Sequence, residues 1–285
     1  MEQTSRPKIL SGLVVRDALR ETLKETVSAF SVAPKLVIIQ VGEREDSNVY
    51  IKQKIKFGES IGVEVVYVQI NETTCEEELK KEIEIHNIDA SVSGIIVQLP
   101  LPVHISRDAI EHIIPSKDAD CLTEYHQKKL KEGDLHSAPA TASAVLKLLT
   151  HYDIPIKNKQ AVVIGRSKLV GEPVVELLRL HGAYVSVIHR QTQDPKVLSR
   201  MADILVVAAG QPHLVTSEWV NPNGQMVVVD VGIHRTENGL VGDVDCESVA
   251  SLVSALSPVP GGVGPLTVAC LFEQVVRMHQ KSTMV

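Results

Sequence analysis

A chain of 285 residues is long enough for one or two domains with substantial cores, and 44% hydrophobic with 22% charged residues is the balance of a globular protein rather than a disordered chain. Only 3% of residues are aromatic, so the core must be aliphatic. A net charge of -6 argues against nucleic acid or an anionic membrane as general partners, and no apolar run approaches the roughly 20 residues of a membrane span. The opening MEQTSRPKIL lacks an apolar signal core, so a cytoplasmic protein is expected. Cys75, Cys121, Cys246 and Cys270 form no CxxC pair, which fits a reducing compartment. The histidines form no HxH or HExxH spacing, so no metal site is expected.

The periodicity predicts a helix over 12–30, with Val15, Ala18, Leu19, Leu23, Val27 and Phe30 on one face. A strand over 35–40 enters a turn at Gly42. The next helix can be capped by Asp46 or Ser47 and ended by Gly62. On it Tyr50 and Lys54 share a face, and Phe57 and Ile61 continue the stripe toward the core. A ring beside an ammonium group, past the carboxyl end of a strand, suits a substrate clamp with a proton carrier. The spacing equally suits a snorkelling lysine and an amphipathic tyrosine at a core edge. A strand over 64–70, a polar helix over 76–86 and a strand over 94–99 complete a β-α-β-α-β pattern, that of a parallel sheet covered by helices. A short helix over 107–113, a loop over 115–120, a helix and turn over 124–137 and a helix over 142–151 follow.

The second half repeats the alternation. Strands are expected over 160–164, 184–188, 204–208 and 226–231, with helices over 174–180 (ended by Gly182) and 195–201. Asn238-Gly239 is a hairpin-turn signal. The run 258–265, PVPGGVGP, precedes a last helix over 267–279.

The turn 165–171 has the geometry of a phosphate cradle. Glycines let backbone N–H groups approach an anion, and the following helix adds partial positive charge. Its spacing is not GxGxxG, and such turns also occur without a ligand. NAD-specific domains carry an acidic residue after the second strand; here His189-Arg190-Gln191-Thr192 has none. Arg190, with Arg166 and Ser167, suits a 2′-phosphate and so NADP over NAD. The alternative is two solvated surface arginines.

Several pieces stand in order: Tyr50-x-x-x-Lys54, Val97-Gln98 followed by LPLP, Lys117-Asp118-Ala119-Asp120, Gly165-Arg166-Ser167-Lys168-Leu169-Val170-Gly171, Asp230-Val231-Gly232-Ile233, Gly242-Asp243-Val244 and PVPGGVGP. Together they resemble the bifunctional methylenetetrahydrofolate dehydrogenase/methenyltetrahydrofolate cyclohydrolase (FolD-like) family over nearly the whole chain. The resemblance implies a two-domain α/β fold with a cleft between the domains, usually as a homodimer. A parallel-sheet catalytic and folate-binding domain would span 1–139, with the last helix, 266–285, packing back on it. A Rossmann-type NADP-binding domain would span 140–265. The implied activity, in one-carbon metabolism and purine biosynthesis, is oxidation of 5,10-methylenetetrahydrofolate by NADP, then hydrolysis of the methenyl product to 10-formyltetrahydrofolate. Lys54 would carry catalysis, assisted by Gln98. Tyr50 would stack on the aminobenzoate ring, Asp120 would hold the pteridine, and Pro260, Gly261 and Gly262 would lie against folate and cofactor. Gly165, Arg166, Ser167, Gly171, Arg190 and Ile233 would bind NADP.

The chemistry is compatible with those roles. Hydride leaves a carbon flanked by two nitrogens, so alignment matters more than a base. Hydrolysis needs a proton moved, which a lysine does only when neutral; burial or a nearby cation must lower its pKa. The chain departs from the family at Cys121 (usually glycine), at His126 and Lys128, at Ala142 and Ala144 in place of Pro and Gly, and at His234 in place of Asn. These departures keep two alternatives in play: a monofunctional dehydrogenase, and a non-catalytic folate- or nucleotide-binding relative.

Overall fold

The computed structural model of the chain describes residues 6–237 and 239–283. In chain order the elements are β1 (Lys8–Ile9), α1 (Gly12–Ser28), β2 (Lys35–Val41), α2 (Glu45–Ile61), β3 (Glu64–Ile70), α3 (Glu76–Ile88), β4 (Gly94–Val97), α4 (Glu124–Lys131), α5 (Ala140–His151) and β5 (Gln160–Ile164). There follow α6 (Gly171–Leu180), β6 (Tyr184–Ile188), α7 (Pro195–Arg200), β7 (Ile204–Val207), β8 (Val227–Asp230), β9 (His234–Thr236), β10 (Gly239–Val241), α8 (Cys246–Val249), β11 (Ala255–Leu256) and α9 (Val263–Thr283). The chain divides into two compact units: Asp17–Glu132 with Val268–Val285, and Met1–Arg16 with Gly133–Thr267.

The first of these units is built on a parallel sheet ordered β3-β2-β4. Leu36–Ile39 of β2 and Ile95–Val97 of β4 are aliphatic runs because helices cover both faces of a parallel sheet, whereas edge strand β3 is half exposed. Val37, Ile39 and Ile95 pack on Leu79 and Ile83 of α3 on one face. Phe57 of α2 and Phe272 of α9 meet with ring centroids 5.4 Å apart. Phe272 is fully buried, and its truncation to alanine would cost about 3–5 kcal/mol. Gly62 ends α2 in the left-handed conformation, φ +82°. The start of α2 differs from expectation. Arg44 occupies the N-cap with no side-chain cap bond, Ser47 lies inside the helix, and the side chain of Asp46 is outside the described groups.

Residues 115–120 are more ordered than a plain loop. Ile95 donates to Lys117 O at 2.7 Å and Ala119 to Ile95 O at 3.2 Å, so the segment runs beside β4 as an isolated bridge. Lys117 Nζ donates to the carbonyls of His86, Asn87 and Asp89, at 3.0, 2.7 and 2.7 Å, closing the carboxyl end of α3.

The other unit holds a six-stranded sheet ordered β1-β11-β8-β7-β5-β6, with every pairing parallel. The chain passes from β5 outward to β6, then returns to β7 on the other side of β5. That reversal is the switch point at which doubly wound sheets bind ligands. Val162, Ile164, Leu205, Val207 and Val228 form its core with Trp219 and Met226. Strand β1 pairs with β11, which draws residues 6–16 to this unit. The antiparallel hairpin β9–β10 stands where Asn238-Gly239 signalled a turn, although Asn238 itself lies outside the described residues. Three helices begin earlier than expected: α5 at Ala140 rather than 142, α6 at Gly171 rather than 174, and α9 at Val263, inside the PVPGGVGP run.

Candidate active site

Tyr50 and Lys54 lie on one face of α2 and are both half-buried. Lys54 Nζ donates to Gln98 Oε1 at 3.0 Å. Gln98 sits one residue past β4, and its Nε2 donates to Leu99 O at 2.8 Å, which leaves its oxygen to the lysine. Burial holds the Lys54 ammonium below the ordinary lysine range, and the Asp120 charge works against that shift. Burial likewise raises Asp120; Lys54 opposes the rise and Asp118 adds to it. Burial thus disfavours the charged form of each group, and the attraction between the two charges opposes that shift.

Asp120 is held by its neighbours. Asp118 is buried and accepts from Thr123 N and Oγ1 at 2.9 and 2.8 Å. Cys121 adopts φ +54°, in the region that favours glycine, and Gln274 Nε2 donates to its sulfur at 3.1 Å. Two contributors were missed in the sequence. Gln274 of α9 touches the Asp120 turn through Cys121, a contact across 153 positions that no local pattern signals. Gln40 is buried in β2; it donates to Asn48 Oδ1 at 3.2 Å and accepts from Tyr67 Oη at 2.8 Å, tying the first turn of α2 to the sheet. A glutamine inside an apolar strand was the available signal.

The other unit carries the cofactor candidates. Gly165 has φ +112°, and a Cβ there would lie 2.8 Å from the Ala208 carbonyl carbon, so the turn presses on the end of β7. Ser167 Oγ accepts from Val170 N at 3.2 Å and Gly171 N at 3.4 Å, at the start of α6, while its proton remains a donor. Ile164 and Ile188 are register partners, so Arg166 and Arg190, both exposed, leave adjacent strand ends two residues later. Phosphate oxygens are the ligands this set fits: a hydroxyl donor beside a helix start and two guanidinium groups. Gly261, φ +104°, is fixed through its carbonyl, which accepts from Gly12 and Leu13 N–H at 2.9 and 3.3 Å. Pro260 is exposed and Gly262 buried in the same segment, and Ile233 lies against Gly264. Gly12, at the start of α1, was missed as a support of this segment. The structure thus groups Tyr50, Lys54, Gln98 and Asp120 in one unit, and the Gly165 turn, Arg190, Ile233 and 260–262 in the other.

The departures fall in packed positions. His126 is buried with Nε2 2.9 Å from Pro115 O, and Ala142 and Ala144 are buried in α5, while Lys128 is exposed. His234 Nε2 meets Asp243 Oδ1 at 2.7 Å.

Residues 10–120 match the tetrahydrofolate dehydrogenase/cyclohydrolase catalytic domain, and residues 139–283 match the NAD(P)-binding domain of the same family. A relative named "Bifunctional protein FolD" from Ligilactobacillus salivarius is 39% identical, covering 96% of this chain and 97% of its own length. Its counterpart from Thermus thermophilus is 41% identical, covering 93% of each. Among solved structures, the FolD methylenetetrahydrofolate dehydrogenase/cyclohydrolase of Campylobacter jejuni superposes with TM-score 0.92 at 40% identity, over 96% of this chain and 99% of that one. The Trypanosoma brucei enzyme, solved with NADP cofactor and inhibitor, superposes with TM-score 0.93 at 35% identity, over 99% of this chain and 100% of that one. With both halves matched and the likeness running end to end, this chain belongs to the tetrahydrofolate dehydrogenase/cyclohydrolase family.

Proposed function

We propose that the protein oxidises 5,10-methylenetetrahydrofolate with NADP and hydrolyses the resulting 5,10-methenyltetrahydrofolate to 10-formyltetrahydrofolate. The observation that carries this reading is the Lys54–Gln98 hydrogen bond beside Asp120: a lysine pushed below its ordinary range and oriented by an amide. Folate would occupy the Asp17–Glu132 unit, and NADP the Gly133–Thr267 unit on Gly165, Arg166, Ser167, Gly171, Arg190 and Ile233. The bound cofactor supplies the hydride acceptor.

The residues of the chain divide the remaining work. Tyr50 offers a ring face to the aminobenzoate, and Asp120 accepts two parallel hydrogen bonds from the aminopyrimidine edge. Pro260, Gly261 and Gly262 are the residues that the family resemblance assigns to folate and cofactor binding. Loss of hydride leaves a methenyl carbon whose positive charge is shared by two nitrogens. Water adds to that carbon and gives a proton to neutral Lys54, whose lone pair Gln98 helps to aim. The added hydroxyl then gives up its proton as the formyl carbonyl forms, the carbon–N5 bond breaks and N5 takes up a proton, so the hydration releases one proton overall. The Lys54–Gln98 geometry favours this bifunctional reading over a monofunctional dehydrogenase, which has no need of the lysine for hydride loss. A homodimer in the cytoplasm belongs to the same proposal, supported by family resemblance; light scattering tests the former.

An absorbance assay of both steps, with NADP and with NAD, is the decisive measurement. NADPH formation and enzyme-dependent loss of the methenyl chromophore are expected. Lys54→Met should lose cyclohydrolase activity first. Absence of both activities from the purified, folded chain would overturn the proposal.

A further inference from the structure

Two motifs, Asp230-Val231-Gly232 and Gly242-Asp243, have no role in the chemistry described so far. The structure interlocks them. A Cβ on Gly232 would lie 2.8 Å from Asp243 N and overlap the Asp243 carboxyl, and a Cβ on Gly242 would lie 2.6 Å from the Asp230 carboxyl carbon. Each carboxylate fills the space that the other motif's glycine leaves open. Asp230, at the end of β8, accepts from Gly232, Asp243 and Val244 N–H at 3.0, 3.1 and 2.9 Å. That arrangement sets the backbone on which Asp243 sits.

Asp243 is fully buried and faces the other way, toward the segment that follows β7. Its Oδ2 accepts from Ala209 N at 2.7 Å and Gly210 N at 2.9 Å; its Oδ1 accepts from Gln211 N at 2.9 Å and meets His234 Nε2 at 2.7 Å. Three consecutive backbone amides therefore converge on one carboxylate, and a ring nitrogen completes the set. The segment lies at the switch point, because Gly165 presses on Ala208 immediately before it. With phosphates at the start of α6 and the 2′-phosphate at the end of β6, the remaining half of a dinucleotide extends over the ends of β7 and β8. Residues 209–211, which follow β7, would form the floor there.

We propose that Asp243 and His234 are positioning residues for the hydride step alone: they fix the 209–211 backbone under the nicotinamide half of the cofactor and take no part in hydrolysis. This rests on the dehydrogenase/cyclohydrolase reading. A lost charge-assisted bond from His234 frees one acceptor on Asp243 and loosens the segment, whereas asparagine at 234 keeps an N–H donor.

The test compares the full-length protein with His234→Leu, His234→Asn and Asp243→Asn in both reactions, together with NADPH binding by fluorescence titration. In His234→Leu, dehydrogenase kcat/KM for NADP should fall about tenfold, with cyclohydrolase kcat/KM unchanged and NADPH bound more weakly. His234→Asn should restore both. Asp243→Asn should fall further, because its amide N–H groups oppose the backbone donors; should it not fold, the two His234 variants decide. Equal losses in both reactions, or no loss in His234→Leu, would overturn the proposal. If the unsubstituted protein shows neither activity, the functional reading falls, and the NADPH titration still decides this one: equal affinity in His234→Leu refutes it.

Discussion

Replacing Gly12 with alanine tests whether the start of α1 sets the glycine-rich segment of the proposed site. Gly12 and Leu13 N–H converge on Gly261 O at 2.9 and 3.3 Å. A Cβ at position 12 would overlap the Gly262 carbonyl oxygen and lie 2.7 Å from its carbon. Relaxed carbon–carbon contact begins near ~3.5 Å, so the two backbones must part by close to an ångström. Gly262 has nowhere to retreat, since a Cβ on it would already lie 2.5 Å from Pro258 O. The strain therefore falls on the two bonds to Gly261, worth about 1 kcal/mol each, with overpacking of about 1–3 kcal/mol added. The sum, about 3–5 kcal/mol, is within reach of a folded protein but not a silent change. A misplacement near 1 Å costs about a hundredfold in rate. Gly12→Ala should thus unfold at a lower temperature by circular dichroism and lose about a hundredfold in dehydrogenase kcat/KM by NADPH absorbance. A variant with unchanged Tm and with rates within about twofold of the parent would refute the steric argument.

Arg190→Ala should raise KM for NADP about tenfold and leave NAD unaffected, because one guanidinium–phosphate contact at an exposed site is lost; an unchanged preference in steady-state comparison would remove Arg190 from the site. Neutral Lys54 is the proposed base, so cyclohydrolase kcat/KM should rise with pH to a limb below the ordinary lysine pKa. Asp120 raises the Lys54 pKa, so Asp120→Asn should move that limb to lower pH whatever it does to KM; a move to higher pH contradicts the assignment. Ellman's reagent should modify exposed Cys75 first, Cys246 slowly because burial and then the Asp230 charge push its thiol up, and buried Cys121 and Cys270 only in denaturant. Rapid labelling of Cys121, mapped by mass spectrometry, would show that the Asp120 turn opens.

Sheet positions were legible because parallel strands are buried on both faces and read as aliphatic runs, as β5 and β7 do and as β2 does apart from Gln40. Strands β1 and β11 carry two residues each, too few for any period; their partners alone define them. The starts of α6 and α9 were read late for one physical reason. Pro173 and Pro265 each occupy the third residue of a helix, α6 and α9, where the N–H has no intrahelical partner to lose. A Gly/Pro-rich run consequently looks like loop until the first residue that needs its amide. Gln98 and Asp120 could not be joined to Lys54 by spacing, since 44 and 66 positions separate them in the chain. The bridge of residues 117–119 to β4 places Asp120, and that pairing depends on a sheet the local sequence does not encode.

The family departures can be weighed by what each side chain does in place. Ala142 is the third residue of α5, the position that holds proline in α6 and α9. Alanine there forfeits only the stiffening of the unfolded chain, about 0.4–1 kcal/mol, and α5 still begins at Ala140. Cys121 keeps the left-handed backbone that glycine would adopt and accepts a hydrogen bond that glycine could not. The conformational cost, about 1–2 kcal/mol, is offset by a fully buried sulfur with a donor from α9. His234 supplies to Asp243 the N–H that an asparagine would supply. Cys121 braces the Asp120 turn and His234 braces Asp243 with side chains that differ from the family's, and Ala142 leaves the start of α5 intact. Substitutions of that kind alter how a site is braced rather than which groups it presents, and they give no ground for reading the chain as a non-catalytic relative.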